Sequence, residues 1–163
     1  MMFDPAVAVL VFVTVQRIGE LLLARRNTRA LLARGAYETG ASHYPYVVGL
    51  HAIWLAGLWL LAPGRPVSLG WCLIFVALQL LRVWVLATLK RRWTTRIIVL
   101  PGAPLVLSGP YRFMRHPNYA IVIGEIAVLP LAFGLPLYAL AFSLLNAIAL
   151  CVRIRAENAA LTR

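Results

Sequence analysis

The chain has 163 residues, of which 62% are apolar and only 13% are charged, a balance outside that of soluble globular domains. Its formal net charge is +11, but the basic residues stand between apolar blocks and leave few polar residues on which to build a nucleic-acid-binding face. The composition therefore predicts one domain's length of membrane-embedded protein and excludes nucleic acid as its partner.

Five apolar blocks follow one another along the chain, several of them near the roughly 20 residues that a helix needs to cross a hydrocarbon core of about 30 Å. They are residues 3–24, 46–62, 69–89, 119–133 and 135–152. The start carries Asp4 in place of a basic segment, and no small-residue cleavage site follows, so we expect the first block to be retained as a span. The last two blocks are short and separated by Gly134, which predicts a tight helical hairpin. The predicted fold is an all-α integral membrane protein with about five transmembrane helices.

The positions of the basic residues predict the orientation, because Lys and Arg of short loops stay on the cytoplasmic side. With the N-terminus outside, thirteen of the sixteen basic residues fall in cytoplasmic segments. Arg65 then falls in an outer loop, while Arg17 and Arg82 lie within spans. An odd number of spans leaves the basic C-terminal segment inside.

Cys72 and Cys151 both lie in apolar blocks, without a second Cys or a His at metal-ligand spacing. We expect both to be core residues, and we predict no metal site.

The 29 residues from Lys90 to Asn118 form a long connection between the third and fourth blocks, a length at which ordered loops are usually functional. This connection leads into the sequence GPYRFMRHPNY, residues 109–119, where Gly and Pro restrict the backbone and Tyr, Arg, His and Asn supply hydrogen-bonding groups. The pattern fits either a binding site or a helix start with interfacial arginines.

A second polar cluster follows the last block. Arg153 and Glu157 are four residues apart, so a helix would place them on one face. They fit either one pocket or a surface ion pair beside cytoplasmic positive charge.

Together these residues resemble the isoprenylcysteine carboxyl methyltransferase family and its short bacterial members, which transfer a methyl group from S-adenosylmethionine. The resemblance is carried by Leu105-Val106, Gly109-x-Tyr111, Arg115-His116-Pro117-x-Tyr119 and Arg153-Ile154-x-x-Glu157. It covers the C-terminal part of the chain in detail and the first two spans by topology. It implies one membrane methyltransferase domain over residues 1–163, with three spans in 1–89 and the cofactor-binding loop, hairpin and C-terminal segment in 90–163.

The resemblance also implies roles for individual residues, with the cofactor site at the cytoplasmic face of a bacterial inner membrane. Arg153 would face the methyl acceptor, and an early polar cofactor contact would fall near Thr95 or Arg96. The residues that would hold S-adenosylmethionine are Ala103, Pro104, Leu105, Val106, Tyr111, His116, Pro117, Asn118, Tyr119 and Glu157.

The chemistry of the residues agrees with these roles. S-adenosylmethionine needs hydrogen-bond partners and counter-charges, and the sequence has no glycine-rich Rossmann fingerprint, so the site must be built from helix ends and loops. Methyl transfer from a sulfonium is an in-line displacement that depends mainly on alignment. An ionised acceptor would be drawn to Arg153.

Glu125 is an ionisable residue within the fourth span, which makes it a functional-site hypothesis. It is a candidate catalytic residue beside Arg153. It could also stay protonated or pair with Arg82 or Arg17 across the bundle, and a structural pair is the favoured interpretation.

These features predict a methyltransferase that uses S-adenosylmethionine on a lipophilic acceptor entering from the bilayer, with membrane lipids around it. O-methylation of a carboxylate or an enolic hydroxyl is the favoured reaction, possible acceptors including long-chain polyketides, to which the resemblance points. The alternatives are a lipid amine N-methyltransferase, a membrane sterol-type reductase using NADPH, and a membrane scaffold without enzymatic activity.

Overall fold

A computed structural model of the chain describes residues 4–161. They form five α-helices and one pair of short antiparallel strands. The helices are α1 (Pro5–Leu32), α2 (Tyr44–Leu61), α3 (Leu69–Leu89), α4 (Pro117–Ala132) and α5 (Pro136–Leu161), and the strands are β1 (Tyr37–Thr39) and β2 (Ile97–Val99). Short 3₁₀ turns cover Ala41–His43, Lys90–Arg92 and Gly109–Arg112.

Four of the described helices, α1, α2, α3 and α5, are long and apolar enough to cross a membrane, while α4 is a shorter apolar helix of 16 residues. At about 1.5 Å per residue, α4 is about 24 Å long and falls short of a hydrocarbon core of about 30 Å. The protein is thus a helical membrane protein in which α4 packs as a shorter fifth helix. The predicted hairpin is present, because α4 and α5 are joined at Gly134, whose φ is +66°.

Two helices are longer than their apolar blocks. The first block ran from Phe3, which lies outside the described residues, to residue 24, whereas α1 continues to Leu32. Helix α5 continues beyond its block to Leu161, so Arg153 and Glu157 lie on one helix, as their four-residue spacing predicted. The added residues include Ala, Arg and Leu, which have high helix propensity, so hydropathy marked the apolar part of each helix and not its end.

The strand pair is a departure from the predicted all-α fold. Tyr37 lies opposite Val99, Glu38 opposite Ile98 and Thr39 opposite Ile97. The β-branched run Ile97-Ile98-Val99 favours a strand, but pairing with a segment about 60 residues away is not visible in a local pattern. The pair ties the α1–α2 connection to the α3–α4 connection.

Most of the bundle interior is apolar, and its outer surface is apolar as well. One core cluster includes Leu10, Trp54, Leu58, Leu129 and Phe133, which are almost fully buried. Large side chains such as those of Val15, Leu60, Leu80 and Leu137 are exposed, as expected for helices that face lipid acyl chains. Cys72 is partly buried and Cys151 is exposed, so the prediction that both are core residues was wrong: Cys151 lies on the outward face of α5.

Ionised side chains meet inside the bundle and join three helices. We call them the interhelical ion network, which consists of Gln16, Arg17 and Glu20 of α1, Gln79 and Arg82 of α3, and Glu125 of α4. The carboxylate of Glu125 is fully buried and accepts hydrogen bonds from Arg17 Nη2 at 2.6 Å, Gln79 Nε2 at 2.8 Å and Arg82 Nε at 2.8 Å. Glu125 thus pairs with both arginines that the sequence offered.

The network is close to electrically neutral, because two carboxylates face two guanidinium groups. Arg17 Nη1 donates to Glu20 at 3.1 Å, and Arg82 Nη1 donates to the same carboxylate at 3.2 Å. Charges removed from water are tolerated when they are paired and fully hydrogen-bonded. The network therefore holds α1, α3 and α4 in one rotational setting.

Replacing Glu125 with Gln should destabilise the protein strongly, since it leaves a buried excess positive charge. The expected loss is about 3–5 kcal/mol, the range for breaking one partner of a buried ion pair. Equilibrium unfolding in mixed detergent micelles measures it. The double variant E125Q/R82Q restores neutrality, so its loss should be smaller than the sum of the two single losses. If the losses of unfolding free energy in the two single variants add up to the loss in the double variant, charge balance is not what stabilises the network.

Candidate functional site

The end of α5 meets the beginning of α4 at the end of the bundle that holds the α1–α2 and α3–α4 connections. We call the four side chains that meet there the Tyr119 cluster: His116, Tyr119, Arg153 and Glu157. The four-residue spacing on α5 places Arg153 and Glu157 on one face, and His116 occupies the N-cap position of α4, just before Pro117. The structure thus brings together the two separate motifs of the sequence.

The hydroxyl of Tyr119 joins the two charged residues of the cluster. It donates a hydrogen bond to Glu157 Oε2 and accepts one from Arg153 Nε at 2.8 Å. Arg153 Nη2 donates to the backbone carbonyl of Thr95 at 2.6 Å. The Arg153 guanidinium is therefore fixed from two directions, by α4 and by the α3–α4 connection.

Arg153 is a buried cation without a carboxylate in direct ion-pair contact among residues 4–161. The residue is 8% exposed, and Glu157 reaches it through the Tyr119 hydroxyl. Two of its five N–H groups make the hydrogen bonds to Tyr119 and Thr95. A buried charge of this kind is costly unless another group compensates it, so the arrangement suits an anionic ligand.

Glu157 and His116 form the more open side of the cluster. The Glu157 side chain is 28% exposed, and its Oε2 lies 3.8 Å from His116 Nδ1. The imidazole stacks on the Tyr119 ring with centroids 5.2 Å apart, and its Nε2 lies 3.2 Å from Asn158 Oδ1. The partly exposed carboxylate can bind a cationic part of a ligand, and the stacked rings beside it can pack against a ring-shaped part.

Tyr111 lies beside this open side. Burial, and secondarily the carboxylate of Glu157, raise the pKa of Tyr111 to about 12, so its hydroxyl is a neutral donor at physiological pH. The 3₁₀ turn that carries it begins at Gly109, whose φ is +59° and whose Cα faces Thr88 so closely that a Cβ would clash. Glycine is thus required where this turn meets α3.

Asn118 offers a polar atom that has no partner among the described residues. Its Oδ1 is buried without a hydrogen bond, directly after the buried Pro117 at the start of α4. A buried amide oxygen without a donor is uncommon and costs about 1–3 kcal/mol. It is therefore a candidate acceptor for an N–H or O–H group of a ligand.

The segment Ala103, Pro104, Leu105 and Val106 is held by other contacts. Arg92 Nη1 donates to the Pro104 carbonyl at 2.6 Å, and the Ala103 N–H donates to the Leu100 carbonyl at 3.2 Å. Leu105 is 62% exposed. These contacts anchor the segment to the α3–α4 connection, and its predicted role in binding the cofactor stays a prediction.

Glu125 lies six residues beyond Tyr119 on α4, and its hydrogen bonds run to Arg17, Gln79 and Arg82. Arg153 belongs instead to the Tyr119 cluster. The two candidate catalytic residues thus sit in separate sets of contacts on the same bundle.

Thr95 was predicted only as one of two residues near the site, and Tyr44 was not predicted to belong to it. The Thr95 hydroxyl lies 2.9 Å from the Tyr44 hydroxyl, and the Tyr44 ring lies under the guanidinium of Arg96 at 4.4 Å. The signals were weak: an aromatic residue at a helix start and two threonines before a β-branched run. Their proximity follows from the strand pair.

Replacing Tyr119 with Phe removes one hydroxyl and leaves the ring that stacks on His116. We expect Arg153 and Glu157 each to lose a hydrogen bond, with a destabilisation of about 1–3 kcal/mol for buried groups left unpaired. Thermal unfolding of the detergent-purified variant measures this effect. Tyr37→Phe, on an exposed side chain, is the control; equal effects of both substitutions would show that the Tyr119 hydroxyl does not link the cluster.

The fold and the site define a helical membrane protein whose polar site is formed by helix ends and a connecting segment. The family model for the isoprenylcysteine carboxyl methyltransferase family matches residues 71–163, more than half of the chain. The chain belongs to this family of methyltransferases. The matched region contains α4, α5 and every residue of the Tyr119 cluster.

Two relatives extend the similarity over nearly the whole chain. The uncharacterized protein YpbQ of Bacillus subtilis (strain 168) is 42% identical over 165 residues, covering 98% of this chain and 96% of the relative. An uncharacterized protein of Haemophilus influenzae (strain ATCC 51907 / DSM 11121 / KW20 / Rd) is 27% identical over 161 residues, covering 90% of this chain and 88% of the relative. No solved structure matches the chain significantly.

Proposed function

We propose that this protein is an S-adenosylmethionine-dependent methyltransferase that O-methylates a carboxylate or an enolic hydroxyl of a lipophilic acceptor. The observation that carries the proposal is the buried Arg153 guanidinium, which has N–H groups to spare and no carboxylate in direct contact among the described residues. An oxygen anion compensates this charge, whereas a cationic amine is repelled by it. The geometry thus favours an O-methyltransferase over an N-methyltransferase of lipid amines.

The acceptor is proposed to be an amphiphile that enters from the bilayer. Arg153 lies about two helical turns before the end of α5, a helix whose outward face presents Leu140, Leu144 and Ile148. An alkyl chain can remain among the helices and acyl chains while its acidic head reaches Arg153. Burial of the chain supplies about 0.8 kcal/mol per CH₂. The alkyl chain then supplies most of the binding free energy, and Arg153 aligns the acidic head.

The open side of the Tyr119 cluster fits the cofactor. Glu157 can meet the cationic amino group of S-adenosylmethionine, Tyr111 can donate a hydrogen bond, and the orphan Oδ1 of Asn118 can accept one from the adenine amino group. His116, Pro117 and Tyr119 would line the cofactor site, together with Ala103, Pro104, Leu105 and Val106. The bound cofactor supplies a methyl group activated by its sulfonium.

In this mechanism the protein mainly positions and desolvates. The acceptor oxygen is already ionised when Arg153 holds it, so no general base has to remove a proton. The hydrogen bonds to Tyr119 and Thr95 hold the Arg153 guanidinium in place. Glu157, hydrogen-bonded to Tyr119, weakens the attraction between the guanidinium and the acceptor oxygen. A moderate grip avoids stabilising the ground state more than the transition state. Glu125 would contribute by fixing the rotation of α4 through the interhelical ion network.

The whole chain, residues 1–163, is proposed to act as one domain in a bacterial inner membrane, with the N-terminus outside and the site at the cytoplasmic face. This orientation is supported by charge, because thirteen of the sixteen basic residues fall in the segments that it places in the cytoplasm. Membrane lipids surround the helices, and S-adenosylmethionine arrives from the cytoplasm. The interhelical ion network supports a single domain, because it joins α1 to α3 and α4.

Methyl transfer tests the proposal directly. Purified protein in nanodiscs is incubated with S-adenosylmethionine carrying a radiolabelled methyl group and three probes of matched chain length: stearic acid, a 2-alkyl-1,3-cyclohexanedione and stearylamine. We expect label in the extracted methyl ester or enol ether. Label in the amine alone would show an N-methyltransferase. If label appears neither in any of the three probes nor in total membrane lipid, the proposal is contradicted.

Two substitutions should separate the two halves of the site. Arg153→Ala should lower turnover about 100-fold while changing the dissociation constant of S-adenosylmethionine little, because it removes acceptor alignment. Glu157→Ala should weaken cofactor binding about tenfold or more, because it removes a charged partner. Turnover and calorimetric titration measure the two effects. If both folded variants lose both properties equally, this division of roles is wrong.

A further inference from the structure

A chain of contacts leads from the first half of the sequence into the acceptor end of the site. The Tyr44 hydroxyl lies 2.9 Å from Thr95 Oγ1, and the carbonyl of Thr95 accepts a hydrogen bond of 2.6 Å from Arg153 Nη2. Tyr44 is the first residue of α2, and its side chain is partly buried. It has no described contact with Arg153 itself.

We infer that Tyr44 is a positioning residue for the acceptor: it fixes Thr95, and Thr95 fixes the Arg153 guanidinium. This inference rests on the proposed function of Arg153. A guanidinium on a long side chain has many rotamers, and two hydrogen bonds select one of them. One bond comes from Tyr119 on the neighbouring helix. The other depends on a backbone carbonyl in an irregular segment, which needs its own support.

The support of Thr95 comes from residues on the other connection. Arg96, the next residue, stacks over the Tyr44 ring at 4.4 Å and donates hydrogen bonds of 2.8 and 2.9 Å to the carboxylate of Glu38. Glu38 lies in β1, directly opposite Ile98 of β2. We call this set the Tyr44 clasp: Glu38, Tyr44, Thr95 and Arg96. It joins the α1–α2 and α3–α4 connections beside Arg153.

The two contacts within the clasp differ in strength. The pair Glu38–Arg96 is solvent-accessible, with the Arg96 side chain 41% exposed, and such surface ion pairs contribute about 0–1 kcal/mol. The hydrogen bond between Tyr44 and Thr95 is partly buried and acts on the residue whose carbonyl holds Arg153. Removing the Tyr44 hydroxyl should therefore change the position of the Arg153 guanidinium.

The clasp extends the site beyond the part of the chain that the family model matches. Residues 71–163 hold Arg153, Tyr119 and Thr95, whereas Glu38 and Tyr44 precede that range. The acceptor end is thus completed by an element of the N-terminal half. The affinity for a carboxylate acceptor should accordingly depend on Tyr44, and the affinity for the cofactor should not.

Matched variants test the inference by binding alone. Tyr44→Phe removes the hydroxyl, and Tyr46→Phe removes the same group from a neighbouring side chain that is 79% exposed. The probe is 9,10-dibromostearate, whose binding to protein in nanodiscs is followed by tryptophan quenching and by competition with stearate or with methyl stearate. The preference for stearate over its uncharged ester isolates the contribution of the carboxylate.

We expect Tyr44→Phe to reduce this preference about 5- to 10-fold, the equivalent of one hydrogen bond, and Tyr46→Phe to leave it within about 2-fold. Thr95→Ser, which keeps the hydroxyl, should behave as wild type, and Thr95→Val should behave as Tyr44→Phe. The affinity for S-adenosylmethionine should stay unchanged in folded Tyr44→Phe and Tyr46→Phe.

The outcomes separate this inference from the proposed function. A wild-type protein without preference for the carboxylate would overturn both the acceptor class and the inference. A normal wild-type preference that Tyr44→Phe leaves intact would overturn the inference alone. A parallel loss of cofactor affinity in Tyr44→Phe would also overturn it, because the clasp would then serve the cofactor end.

Discussion

The carboxylate of Glu125 imposes the strongest constraint on this fold, because an ionised group removed from water must be matched by charge. Arg17 and Arg82 supply that match from α1 and α3, and Glu20 balances the second guanidinium. Three helices can satisfy this requirement in one rotational setting. This setting fixes the rotation of α4. Tyr119 lies on the same helix, six residues before Glu125, and contacts α5. The geometry of the site therefore depends on an ion network that is not part of it.

The two polar assemblies of the bundle differ in charge balance, and the difference separates structure from function. The interhelical ion network pairs two carboxylates with two guanidinium groups and leaves no charge unmatched. In the Tyr119 cluster one hydroxyl separates Arg153 from Glu157. Under the proposed function this separation lets the cation meet the acceptor and the carboxylate meet the cofactor. The role inferred for the Tyr44 clasp is to maintain the separation on the Arg153 side.

The sequence predicted the helices because apolar blocks of about 20 residues have few alternatives, and it predicted the pairing of Glu125 because an acidic residue in a span needs a cation. It also brought His116, Tyr119, Arg153 and Glu157 to one site through the family resemblance. The strand pair and Tyr44 escaped prediction, since three-residue strands have little local signal and their contacts join residues far apart in sequence. The apolar blocks marked the apolar parts of α1 and α5 but not their ends, because hydropathy falls where arginines begin, whereas helix propensity does not.

The most direct test of the central claim is calorimetric titration of S-adenosylmethionine into detergent-purified protein, with NADPH as the control ligand and His116→Ala as the matched variant. We expect saturable binding of S-adenosylmethionine, weakened in His116→Ala, and no binding of NADPH. Binding of NADPH without S-adenosylmethionine by folded protein would instead indicate a reductase, and binding of neither ligand would indicate a scaffold.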